Sequence, residues 1–113
     1  MDGCKLALNY YNSARMLFIL RFTNNPDRVG LLSKFYPAHL EWLKEHESVV
    51  LVPGAIRTEP DAVPIGGLWI VRAESKSEVE SLFRTDPFWV NGLRQSYEIL
   101  LWSKAFPDKT VAI

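Results

Sequence analysis

Two ionisable residues stand where apolar ones are expected. His39 falls in the middle of the apolar arc of a helical pattern opening at Asp27, with Leu32, Phe35, Tyr36, Leu40, Trp42 and Leu43 on its side and Lys34, Glu41, Lys44 and Glu45 opposite. Asp86 takes the next place on the stripe Val79, Leu82, Phe83 of a second helical pattern. An imidazole set beside a carboxylate is held in one tautomer and gains basicity, which equips it as a general acid or base. Each residue also has a plainer use. A histidine on an apolar stripe can be a core residue bonded to backbone. Asp86 precedes Pro87, which pushes it out of the α region, so a helix arriving from Ser75 ends near it. Asp86 then suits the N-cap of a short helix with Pro87 at its first position and Gly92 as a left-handed stop.

Other candidates for a site are side chains around this pair. Trp42, Trp69 and Trp89 can form aromatic walls for a small ligand, although core packing explains them equally. Tyr36 borders His39 on the helix. Arg21 and Arg72, on otherwise apolar strands, can meet an acidic ligand or simply reach to solvent. His46 sits at a helix end, where a cation complements the dipole. The two histidines and Asp86 lack the i,i+4 ligand pairs of helical zinc motifs, so no metal is expected. Neither G-x-G-x-x-G nor G-x-x-x-x-G-K-[ST] occurs, and no cofactor is expected. The serines lack a nucleophile elbow.

The elements that must position these groups follow in order. Met16 to Phe22 reads as a strand closed by Asn24-Asn25-Pro26. The helix from Asp27 is interrupted by Pro37, which must bend it or restart it. Ser48 to Gly54 is a second strand ending at a Pro53-Gly54 break, with Ala55 to Glu59 extending it after a bulge, and Glu59 to Pro64 is the hairpin loop. Gly66 to Glu74 is the third strand, its paired glycines permitting close backbone approach. Ser75-Lys-Ser-Glu78 is a capping box at the start of the second helix. Gln95 to Ser103 is the fourth strand, and the tail beyond Lys104 is uninformative. The order βαββαβ is the split unit of ferredoxin-like α+β folds, a four-stranded antiparallel sheet with two helices on one face. In that arrangement both helices pack on the same face, so His39 and Asp86 can meet.

The first and fourth strands are apolar on both faces, and a sheet of that kind needs two covers. Two helices cover one face. A second copy is expected on the other, giving a homodimer joined sheet to sheet.

A chain of 113 residues with 48% hydrophobic content and four Trp bounds these readings to one well-buried domain. Thirteen basic and thirteen acidic residues leave no net charge and no basic block, which argues against nucleic acid and against an anionic membrane surface as partner. The single Cys4 excludes an internal disulfide framework. No stretch is apolar for long enough to span a bilayer and residues 1–15 lack a signal-peptide run, so a cytoplasmic location is expected. Strand character begins at Met16, and residues 1–15 are read as an extension preceding a domain over 16–106, with 107–113 as tail.

The residues resemble the YciI-like, or YCII-related, family of small dimeric α+β barrel proteins over about Met16 to Phe106. The resemblance rests on Met16-Leu-Phe-Ile-Leu-Arg-Phe22, Pro37-Ala-His-Leu40, Pro64-Ile-Gly-Gly67, Asp86-Pro-Phe88 with Gly92-Leu93, and Trp102-Ser-Lys-Ala-Phe106. It implies a ferredoxin-like dimer whose site matches His39 and Asp86. Tyr36 stands where many relatives carry Arg, and Gly67 where many carry Ser. One branch of the family is similar to a dehydrochlorinase of a chlorinated hydroxyquinol, and muconolactone isomerase shares the architecture. The expected function is a cofactor-independent enzyme acting on a small cyclic or aromatic metabolite, His39 abstracting a proton and Asp86 orienting it, with Tyr36, Trp42, Trp89 and Arg21 around the substrate. The alternatives are a non-catalytic dimeric module that binds a small ligand or serves in stress, and a cofactor-free monooxygenase of the same architecture.

Overall fold

The computed structural model describes residues 15–113, so apart from Arg15 the expected N-terminal extension lies outside the described residues, as does Cys4. The elements run β1 (Met16–Asn24), a 3₁₀ turn (Pro26–Arg28), α1 (Gly30–Glu45), β2 (Val50–Ile56), β3 (Gly66–Ala73), α2 (Lys76–Phe83), α3 (Pro87–Val90) and β4 (Arg94–Trp102). The strands form one antiparallel sheet in the order β2-β3-β1-β4, the ferredoxin-like arrangement.

Alternation along β1 decides which face is covered. Phe18, Leu20 and Phe22 point inward with Trp69, Val71 and Ala73 of β3, and they meet Trp42 from α1 and Val79 and Phe83 from α2. Phe22 packs edge-on against both Trp69 and Phe83, with ring centroids 5.0 and 5.2 Å away. Leu17, Ile19 and Arg21 point to the other face, which no described helix covers. There Val52, Leu68, Leu100 and Trp102 are exposed.

Several boundaries differ from the expected ones for local reasons. The helix expected from Asp27 begins as the 3₁₀ turn, where the Asn25 side chain accepts from the Asp27 amide at 3.0 Å, and becomes α-helical at Gly30. It then runs through Pro37 as one element. Pro53-Gly54 does not end β2. That strand lies at the sheet edge, where a missing N–H costs no ladder bond, and the register shift falls between Val50 and Val52 instead of after Gly54. The second helix starts as expected, with Ser75 Oγ accepting from the Glu78 amide at 3.1 Å, while Glu78 Oε2 accepts from the Glu74 amide at 3.0 Å. It stops at Phe83, before Asp86. The short α3 is the third helix, and Gly92 closes it at φ 81°.

Candidate functional site

Asp86 is placed by its own backbone. Held extended before Pro87, it caps α3 by accepting the Phe88 amide on Oδ1 at 3.2 Å, and it is completely buried. The same Oδ1 lies 2.7 Å from His39 Nδ1. An oxygen already accepting from a backbone N–H in a buried site is an acceptor for the ring as well, so Nδ1 carries the proton and donates. In the neutral ring so protonated Nε2 keeps its lone pair, while Asp86 Oδ2 is buried with no hydrogen-bond partner among the described residues. Cap and partner of the imidazole, set against each other by the sequence, are therefore performed by one atom.

His39 is itself positioned by a stacked ring and by the anchoring of its helix. Its ring stacks on Phe88 at 4.0 Å between centroids, so the residue that carries the capping amide also fixes the plane of the imidazole. Trp42, one turn along α1, donates from its indole Nε1 to Thr85 Oγ1 at 2.9 Å, and Thr85 donates onward to the Leu82 carbonyl at 3.2 Å. This latch ties the helix bearing His39 to the turn bearing Asp86. His46 caps the end of α1, stacking on Trp42 and bonding to its carbonyl through Nδ1 at 2.7 Å.

His39 lines a cavity of about 580 Å³, within the usual range for a small-molecule site. Its walls come from α1, from the middle and end of β2, from the start of β3, and from Phe88 and Arg94. Glycines in its wall allow close backbone approach. A β-carbon on Gly66 would stand 1.9 Å from the Phe22 carbonyl oxygen, and one on Gly67 would press on the Gly54 carbonyl and the Arg94 guanidinium at 3.2 to 3.4 Å.

The expected substrate contacts separate here. Tyr36 lines the cavity at its exposed rim, and Trp69 forms part of the wall. Trp42 does not line it, because its indole is turned to Thr85 and Trp69. Trp89 does not either: it packs edge-on against Phe83 and Tyr97, with centroids 4.8 and 5.6 Å away. Arg21 points to the uncovered face of the sheet, where it pairs with Glu98 across the β1–β4 ladder at 3.5 Å, so it belongs to the opposite surface.

The structure adds a group that the sequence reading passed over. Arg94 lines the cavity although only 9% exposed, with Nη1 donating to Asn24 Oδ1 at 2.8 Å and Nε unpartnered among the described residues. Its guanidinium lies over the rings of Phe22 and Phe88, 4.4 and 5.1 Å from their centroids. Burial lowers its pKa to about 10, partly offset by the charge of Asp86, so it remains a cation at neutral pH. Its inward direction comes from an irregularity in the β1–β4 ladder. Thr23 faces Ser96 but Asn24 faces Arg94, leaving Gln95 as an extra residue. Among the described residues no cluster of three metal-ligating side chains occurs, and no helix is long and apolar enough to cross a membrane.

Comparison with known proteins gives the family and the fold. Residues 16–103 match the model of the YCII-related domain. Among solved structures, 5-chloro-2-hydroxyhydroquinone dehydrochlorinase from Burkholderia phenoliruptrix AC1100, in complex with 2,5-dihydroxybenzoquinone, is similar at 27% identity and a TM-score of 0.71, over 78% of this chain and 94% of that one. A protein described as an antibiotic biosynthesis monooxygenase from Bacteriodes thetaiotaomicron VPI-5482 shares the fold, at 18% identity and a TM-score of 0.54, over 87% of this chain and 96% of that one. No curated protein matches the sequence.

Proposed function

The chain belongs to the YCII-related domain family, and we propose that it is a cofactor-independent enzyme performing acid–base chemistry on a small cyclic or aromatic metabolite. The observation that carries this reading is the 2.7 Å contact between His39 Nδ1 and Asp86 Oδ1 in the wall of an accessible cavity. Nε2 of His39 takes a proton from an acidic carbon or hydroxyl of the ligand. The electron pair moves into the conjugated ring, and either a leaving group departs with it or the proton returns at another atom. The overall change is elimination of an acid or isomerisation, and neither needs an oxidant. Asp86 does not take the proton; it holds the ring orientation and stabilises the imidazolium, the usual division of labour in such pairs. The similarity to the dehydrochlorinase supports elimination from a hydroxylated ring as the first reaction to test.

The test is chloride release from 5-chloro-2-hydroxyhydroquinone, together with proton exchange into deuterated water on a panel of cyclic hydroxyketones. His39→Gln is expected to lower turnover by about 10²- to 10⁴-fold, the range for loss of a general base, with the fold retained. Unchanged turnover in that variant removes His39 from the chemistry.

The uncovered sheet face belongs to the same proposal. Its apolar residues run across all four strands, from Val52 through Leu68 and Ile19 to Leu100 and Trp102, and a second copy meeting it face to face buries them symmetrically. Leu100→Lys is expected to shift the sedimentation mass from dimer to monomer; a wild-type protein that sediments as a monomer contradicts the dimer.

A further inference from the structure

We propose that the cavity receives its ligand as a small planar oxyanion, an enolate, phenolate or carboxylate, whose charged oxygen is held by Arg94. The inference deepens the acid–base reading and rests on the same cavity, but it concerns binding and is separable from turnover.

The charges of the lining carry it. Arg94 and Arg57 both line the cavity with His39, and among the described residues no Asp or Glu does. Asp86, the acidic group that acts on Arg94, is not a lining residue; its Oδ1 is engaged by His39 and the Phe88 amide, and its Oδ2 is buried with no hydrogen-bond partner among the described residues. Arg94 thus makes no ion pair among the described residues, and its one side-chain partner is the neutral Asn24, which donates in turn to the Pro64 carbonyl at 3.3 Å and so keeps its oxygen toward the guanidinium. A buried cation with free donor capacity is costly to keep, and an anion brought by the ligand compensates it. The guanidinium is also prepared for this. It is braced by Phe22 and Phe88 and lies against the bare backbone of Gly67, where a side chain would press on it.

The same ring sets the distance to the chemistry. Phe88 stacks on His39 at 4.0 Å and carries Arg94 at 5.1 Å. Imidazole and guanidinium are therefore no further apart than those two distances laid end to end, a span that one small ring bridges. An oxyanion on Arg94 places a neighbouring ring atom toward Nε2. Arg57, exposed at the mouth, adds a second positive charge on the way in.

The test is calorimetric titration of the whole chain at neutral pH with 2,5-dihydroxybenzoquinone and with benzoate, each beside a neutral counterpart, hydroquinone and benzamide. At least one anion is expected to bind more tightly than its counterpart by about ten- to hundredfold, the worth of one charge-assisted hydrogen bond; the dihydroxybenzoquinone arm identifies an enolate or phenolate and the benzoate arm a carboxylate. Arg94→Gln is expected to abolish that preference, Arg94→Lys to restore part of it, and His39→Gln to leave it intact. Should Arg94→Gln fail to fold, Gly67→Ser, which crowds the guanidinium, must weaken anion binding in its place. Equal binding of anions and neutral counterparts by the wild type, or an undiminished preference in a folded Arg94→Gln, overturns the proposal. Turnover by His39→Gln would refute the acid–base reading and leave this one standing.

Discussion

The two ends of the covered sheet face are built from the same kinds of residue to opposite effect. At one end Phe83, Trp89 and Tyr97 interlock edge to face at 4.7 to 5.6 Å and leave no lining for a cavity. At the other end Trp69 and Phe88 lie among Gly54, Gly66 and Gly67, and about 580 Å³ stays open beneath α1. The buried polar side chains, His39, Asp86, Asn24 and Arg94, all gather at the open end. Stability is concentrated where rings fill space, and chemistry where a cavity stays open.

Substitutions in matched pairs can break or sharpen that contrast. The largest difference is expected between Phe83→Ala and Phe88→Ala. Phe83 is fully buried in the packed end, and its truncation should cost about 3 to 5 kcal/mol in denaturant unfolding. Phe88 borders existing space, so the same change should cost less while disabling ligand binding, because His39 and Arg94 both lean on that ring. Equal losses of stability would erase the distinction between the ends.

Next in size is the stability change carried by Arg94. Its pKa falls to about 10 on folding, below the ordinary arginine value, so the unfolded chain binds the proton more strongly. Stability from this group therefore rises as pH climbs from about 10 toward the ordinary arginine value, and below pH 10 the buried charge costs about 3 kcal/mol. Arg94→Met should lose that alkaline rise and, at neutral pH, melt no lower than the wild type once the released Asn24 oxygen is allowed for. A marked fall in melting temperature for Arg94→Met would mean that the guanidinium is structural.

Smallest is the expected stability effect of Asp86→Asn. Asparagine caps a helix about as well as aspartate, so thermal unfolding should move little. Turnover should still fall steeply, because a neutral amide no longer stabilises the imidazolium. Parallel loss of folding and activity would reduce Asp86 to a cap.

How much of this was readable in the chain depends on which physical rule fixes each residue. His39 and Asp86 could be found because each interrupts an apolar stripe, and the fold places both stripes on one face. The order of the strands followed from alternation and turn residues in the same way. Periodicity tells which side of a helix or strand is inward; it does not tell which end of the sheet is filled. Trp42, expected at the substrate, therefore turns its indole to Thr85 and Trp69, and Trp89, expected there too, packs at the filled end. Arg21 was placed with them although strict alternation along β1 sends it outward. Arg94 escaped notice because simple alternation back from Tyr97 turns it away from the core, and only the extra residue at Gln95 turns it in. Pro53-Gly54 looked like a strand end because edge position is a property of the assembled sheet.

The central claim is that Asp86 holds His39 as the Nδ1–H tautomer, so that the lone pair of Nε2 faces the cavity. Long-range proton–nitrogen spectra of the histidine rings test it most directly, with Asp86→Asn as reference and 2,5-dihydroxybenzoquinone as cavity probe. The account predicts a neutral His39 protonated at Nδ1 both in the native chain and in Asp86→Asn, whose amide oxygen still caps α3 and faces the ring, and a shift at Nε2 when the probe binds. A neutral ring protonated at Nε2, or an Nε2 signal indifferent to a bound probe, would contradict it.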